Sequence, residues 1–132
     1  MGNVRALIVD DDDNMRAVLR SYINAADDGV EIVAEATRAT EALLACRTEH
    51  PDVVVLDLHL PGPDGLDVAH DILAADPDQP IVVFSAFLHP AVVGEAERIG
   101  IRECLAKTDI AELPRALWRH GRRRRDEAAA RP

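Results

Sequence analysis

Three unbroken apolar runs constrain this chain more than any other feature. They are Ala6-Leu7-Ile8-Val9, Val53-Val54-Val55-Leu56 and Ile81-Val82-Val83-Phe84. A strand with one face in water alternates polar and apolar residues. A run without alternation suits a strand covered on both faces, as in a parallel sheet flanked by helices. Weaker runs at Glu31-Ile32-Val33-Ala34 and Cys104-Leu105-Ala106 extend the series to five. Longer stretches with helical spacing lie between them. Residues Asn14–Ala25 place Met15, Val18, Leu19, Tyr22 and Ile23 on one face. Thr40–Thr48 offers Ala42, Leu43 and Cys46, with Thr40 as one candidate cap. Leu66–Ala75 and Pro90–Ile99 follow, the second stopped by Gly100. The last helix carries Leu113, Leu117 and Trp118. It begins near Pro114, with the proline in its first turn, or is preceded by a short turn at Asp109–Leu113. Strands alternating with helices predict right-handed βαβ units and an α/β, doubly wound, five-stranded parallel sheet with helices on both faces.

The 132 residues suit one domain, expected over residues 1–120, with a basic tail or the start of a linker at 121–132. Charge supports that division. Residues 115–132 hold seven arginines against Asp126 and Glu127, a net +5, so the chain total of −9 leaves −14 on the first 114 residues. An acidic body argues against a nucleic-acid binder, which needs a basic face toward phosphate. It suits metal cations or basic partners. No apolar run approaches the roughly 20 residues of a membrane span. No targeting signal is legible at the N-terminus. Cys46 and Cys104 are too few for a disulfide framework, so a reduced, cytoplasmic protein is expected.

In an open α/β sheet, ligands bind beyond the carboxyl ends of the strands. The residues that follow the apolar runs are Asp10 and Asp11, Asp57, Ser85 and Lys107, the only lysine in the chain. Three carboxylates gathered at one edge repel one another, and a hard divalent cation such as Mg²⁺ relieves that repulsion. A hydroxyl and an ammonium beside them suit a transferred phosphoryl group, and a carboxylate can serve as its acceptor. A calcium-loop reading of Asp10, Asp12 and Asn14 fails, because Met15 and Ser21 stand where that loop needs glycine and glutamate.

These segments together resemble the receiver domain of bacterial two-component response regulators. The resemblance is carried by Leu7-Ile8-Val9-Asp10-Asp11, by Asp52 to Gly65 with its Asp57-Leu58-His59-Leu60-Pro61-Gly62-Pro63-Asp64-Gly65 turn, by Ile81 to Ala86, and by Leu105-Ala106-Lys107. It covers roughly residues 4–118. Thr108 and Val33-Ala34-Glu35-Ala36 are similar to the NarL/FixJ-type subfamily. The resemblance implies a CheY-like, flavodoxin-like sheet of order 2-1-3-4-5. It implies that Asp57 is the phosphoacceptor, that Ser85 bonds a phosphoryl oxygen, and that Lys107 pairs with the carboxylate and then with phosphate. Asp10, Asp11, Asp57 and the backbone carbonyl of His59 would hold Mg²⁺ or Mn²⁺. The implied donor is a histidine kinase or phosphotransfer protein. The implied output is a switched surface of helix 4, strand 5 and helix 5, with Val92, Glu95, Glu97, Arg98 and Arg115 as candidates and homodimerisation as one use. Such a chain is a signalling domain that catalyses only its own phosphorylation and dephosphorylation, not an enzyme acting on other substrates.

One departure stands out. The family usually carries an aromatic residue three positions before the lysine, and this chain has Cys104 there. His59 and Phe87 occupy positions that commonly tune dephosphorylation. Three outputs fit the same residues: the regulatory part of a transcriptional regulator whose DNA-binding output domain lies outside this chain, a stand-alone receiver in a phosphorelay, and an interaction module independent of phosphorylation. Elsewhere plainer readings hold. Asp12 or Asp13 caps the first helix, both cysteines are packed thiols, and His50, His70, His89 and His120 are surface or turn residues. The tail from Gly121 onward reads as an extension of the last helix or a frayed end, with Arg122–Arg125 a solvated helix end or linker.

Overall fold

The computed structural model describes residues 3–60, 62 and 64–130; Pro61 and Pro63 of the turn after Asp57, and Arg131 of the basic segment, lie outside the described residues. The five apolar runs form parallel strands β1 (Val4–Val9), β2 (Val30–Ala36), β3 (Val53–Leu56), β4 (Ile81–Ser85) and β5 (Glu103–Ala106). Their order is β2-β1-β3-β4-β5. The crossovers are α1 (Asp13–Ala26), α2 (Ala39–Glu49), α3 (Gly65–Ala75) and α4 (Pro90–Ile99). A 3₁₀ turn at Lys107–Glu112 leads into α5 (Leu113–Ala130), so the turn and a first-turn Pro114 occur together.

Burial on both faces explains the missing alternation. Leu7, Val9, Val54, Leu56, Ile81 and Val83 point into one core under α2, α3 and α4. Ala6, Ile8, Val53, Val55, Val82 and Phe84 point into a second core under α1 and α5. Each fully buried Leu, Ile, Val or Phe contributes about 1.5–3 kcal/mol, so the central strands cannot be moved to an edge.

The start of α1 and the end of α4 follow local chemistry; the start of α2 does not. Asp12 caps α1 by accepting from the N–H groups of Asn14 and Met15. Gly100 ends α4 in the left-handed region at φ 105°, and its N–H reaches Ala96 and Glu97 carbonyls. Thr40, in contrast, lies inside α2. The N-cap is Arg38, whose side chain makes no cap bond. Glu41 instead reaches back to accept the Thr37 N–H at 2.9 Å, as a glutamate in a helix's first turn can.

Two sequence expectations are corrected by packing. Val18 and Tyr22 share the α1 stripe but are 40% and 42% exposed, because Leu19 and Ile23 fill the core, with Met15 packed partly against it. The arginine-rich segment does extend the last helix, as part of α5, but it is not solvated throughout and docks beneath the sheet. Gly121 is buried against Val4, with no room for a Cβ. Arg124 bonds Asp76 at the end of α3 at 2.7 Å, and Arg125 reaches Asp52 at 3.3 Å. His120 is likewise not a free surface residue, since its Nε2 lies 2.8 Å from Glu103 of β5.

Candidate functional site

The carboxyl ends of the strands bring the predicted residues together. Asp10 directly follows β1, Asp57 follows β3, Ser85 ends β4 and Lys107 follows β5. Since β1 and β3 are neighbours in register, with Val9 opposite Leu56, the two aspartates lie side by side. The Asp57 N–H donates to the Val9 carbonyl at 2.9 Å and fixes that arrangement.

Each buried carboxylate divides its two oxygens in the same way. Asp10 accepts the Asp12 N–H on Oδ1 at 2.9 Å and the Lys107 ammonium on Oδ2 at 3.4 Å. Asp57 accepts the His59 N–H on Oδ1 at 3.1 Å and the Lys107 ammonium on Oδ2 at 3.1 Å. Asp10 is 2% exposed and Asp57 5%, so the ammonium is their one shared cation among the described residues. Asp11 is exposed at the rim, yet oxygens of Asp10, Asp11 and Asp57 lie within 4.8 Å of one another.

The electrostatics record this crowding. Burial pushes the Asp10 carboxyl above its ordinary range, and the Asp57 charge adds to the effect; the Asp12 N–H and Lys107 oppose it without cancelling it. Burial works against the Lys107 ammonium, but Asp10 and Asp57 outweigh it and hold the amine above the usual lysine value. Three carboxylates and one ammonium leave an excess of two negative charges from oxygen donors alone. That donor set fits Mg²⁺ or Mn²⁺, which prefer oxygen ligands.

Ser85 supplies a separate observation. It is fully buried, and its Oγ has no hydrogen-bond partner among the described residues. A buried hydroxyl left unpaired costs about 1–3 kcal/mol, so one in a well-packed strand marks a place where a partner belongs. The nearby cleft has a volume of about 500 Å³ and is lined by Asp11, His59, Leu60, Leu66, Phe87 and Val92, among others. His59 is exposed there and touches Asp57 through its N–H.

Cys104 is half-buried on β5 and packs toward the core under α2, α3 and α4. Burial, with the Glu97 and Glu103 charges, pushes its thiol upward, in keeping with a packed thiol. Sequence reasoning passed over Arg16. Its Nη1 donates to the Asp10 carbonyl at 2.8 Å and its Nε to Glu35 of β2 at 3.1 Å, which pins the loop that carries Asp10 and Asp11. The available signal was its place one turn into α1, directly above that loop.

Comparison with known proteins agrees with this geometry. The family model for the response regulator receiver domain matches residues 6–117. The chemotaxis protein CheY of Thermotoga maritima is 37% identical over 103 residues, covering 78% of this chain and 84% of that protein. A two-component response regulator of the LuxR family from Aurantimonas sp. superposes with a TM-score of 0.78 at 33% identity, covering 88% of this chain and 83% of that one. The signal receiver domain of the putative response regulator NarL from Mycobacterium tuberculosis gives 0.79 at 27% identity, covering 90% and 98%. Among the described residues no helix is long and apolar enough to cross a membrane. With its strand order, its strand-end carboxylates and a family match over most of its length, the chain belongs to the response regulator receiver domains, the CheY-like signalling modules of two-component systems.

Proposed function

We propose that Asp57 accepts a phosphoryl group from the phosphohistidine of a histidine kinase or phosphotransfer protein in a reaction that depends on Mg²⁺ or Mn²⁺. The observation that carries this is the Ser85 hydroxyl, buried without a partner beside a carboxylate that already holds the Lys107 ammonium. A phosphoryl group on Asp57 offers the oxygen Ser85 lacks.

An Asp57 carboxylate oxygen attacks phosphorus, the phosphorus–nitrogen bond breaks, and its electron pair returns to the imidazole, which takes up a proton from solvent. Lys107 then turns from the carboxylate to the phosphoryl oxygens, and Ser85 donates its hydroxyl hydrogen to one of them. The His59 N–H and the Asp12 N–H keep Asp57 and Asp10 aimed. Asp10, Asp11 and Asp57, with the His59 backbone carbonyl, would hold the divalent ion. When bound, it supplies charge neutralisation to the phosphoryl oxygens.

The bonds from Ser85 and Lys107 form only with the phosphoryl group in place, and they favour one of two pre-existing states. The α4–β5–α5 surface, with Val92, Glu95, Glu97, Arg98 and Arg115, is the face that would report the change to a partner, to a second copy or to a DNA-binding output domain outside this chain. We place the chain in the cytoplasm, as a domain whose own catalysis is limited to gaining and losing this group.

Acetyl phosphate with Mg²⁺ tests the core of the proposal. Intact-mass measurement should show one added phosphoryl group on the wild-type protein and none on Asp57→Asn. No uptake by the wild type, or equal uptake by Asp57→Asn, would refute it.

A further inference from the structure

We propose that Phe87 is a moving element: when Ser85 gains its partner, the Phe87 ring swings from solvent into the cleft bordered by Asp11 and His59 and closes it over Leu60, Leu66 and Val92. Resting on the phosphoacceptor reading above, this assigns a closure to the β4–α4 loop.

Three observations place the ring there. Among the described residues Phe87, at 70%, is the most exposed of the large apolar side chains, and its one ring contact is a loose stack on His89 at 6.3 Å between centroids. The cleft of about 500 Å³ that it borders has an apolar floor: Leu58 and Leu60 are 7% and 9% exposed, and Leu66 and Val92 stand half-buried around them. A large apolar ring next to an open apolar cleft gains by entering it, because that removes apolar area of both from water. The third observation supplies the trigger. Phe87 is two residues beyond Ser85, whose buried hydroxyl is unpaired. A new bond to that hydroxyl pulls on the strand end directly attached to the ring.

The consequence reaches the output surface. Val92 belongs to α4, so a ring seated against it ties the start of α4 to the state of Asp57. The neighbouring His59, Asp11 and Asp64 stay on the polar rim.

The chain has only two phenylalanines, Phe84 and Phe87, which makes a direct test possible. Protein labelled with 4-fluorophenylalanine should give two fluorine resonances, and Phe87→Leu identifies which is which. Phe84 is 1% exposed and serves as the internal control. A soluble paramagnetic chelate should broaden the Phe87 signal strongly and the Phe84 signal little. After addition of beryllofluoride and Mg²⁺, broadening of the Phe87 signal should fall to the level of Phe84. Bound beryllofluoride carries its own fluorine resonance, which separates the two claims. A bound signal with Phe87 still fully broadened overturns the closure while leaving phosphoacceptance standing. No bound signal overturns phosphoacceptance and the closure with it.

Discussion

Replacing Lys107 by methionine probes the site's electrostatics most directly. Methionine keeps most of the apolar stem and removes the charge. Lys107 Nζ lies 3.1 Å from Asp57 and 3.4 Å from Asp10. With an effective dielectric near 20, each pair attracts by about 5 kcal/mol before desolvation is counted. Measured losses on breaking a buried pair are smaller, about 3–5 kcal/mol. The lysine side chain is 20% exposed, and Asp10 can relieve repulsion by taking a proton, so about 2–3 kcal/mol is expected here. With the urea dependence usual for a small domain, the midpoint should drop by about 1–2 M at pH 7 without divalent metal. Mg²⁺ should recover most of the loss, since a ligand at a hundredfold excess over its Kd stabilises by about 2.7 kcal/mol. The variant should also bind Mg²⁺ more tightly than wild type, because a competing positive charge has gone. The pH dependence has a definite sign. Asp10 has a raised folded pKa, so as pH falls through that value it is protonated and Lys107 loses one of its two carboxylates. The penalty of the substitution should therefore shrink toward acid pH. Because the Lys107 pKa is itself raised, the ammonium's contribution stays complete up to the ordinary lysine value and is lost only as pH rises through the folded one. An unchanged urea midpoint without metal, or a loss that Mg²⁺ does not reduce, would refute the view that Lys107 holds two repelling carboxylates together.

Three further outcomes follow from packing and burial. Gly65→Ala should cost about 1–3 kcal/mol in urea unfolding and reduce phosphoryl uptake, because the added Cβ overlaps the Leu58 backbone and lies 2.8 Å from the Asp57 carbonyl. Gly121→Ala should destabilise by about 1 kcal/mol net, since overlap with Val4 exceeds the gain in helix propensity; Val4→Ala in the same chain should recover part of it, a coupling readable from a double-mutant cycle. The Cys46 thiol, pushed up to about 11 chiefly by burial, should react with iodoacetamide at pH 8 far more slowly than free cysteine, and unfolding in urea should restore the ordinary rate.

Much of the site was legible because its residues occupy places that the fold type dictates. Asp10, Asp57, Ser85 and Lys107 each stand at the end of an apolar run, and in a parallel sheet all such ends share one edge. The cap at Asp12 and the stop at Gly100 were legible for a similar reason, since their partners lie within four residues along the chain. Thr40 was misplaced as a cap because two cap chemistries competed locally, and Glu41 reaching back to Thr37 won. Val18 and Tyr22 stand on the predicted face yet stay exposed, because helical periodicity says which residues share a face, not how much of that face a neighbour covers.

By itself, then, the sequence determined the layer order: unbroken apolar runs can be satisfied only by burial on both faces, and that requirement puts helices on each side and the strand-end residues together. Only the tertiary structure decided what touches what across long separations. It folded Arg124 and Arg125 back onto Asp76 and Asp52, 48 and 73 residues away, so that a run readable as a free basic tail became the end of a docked helix. It also left the Ser85 hydroxyl without a partner and Phe87 beside an open cleft. The physical reason is range. Propensity, capping and periodicity act within a turn or two, while charge pairing and the satisfaction of a buried hydroxyl depend on which distant groups the completed sheet brings within about 3 Å.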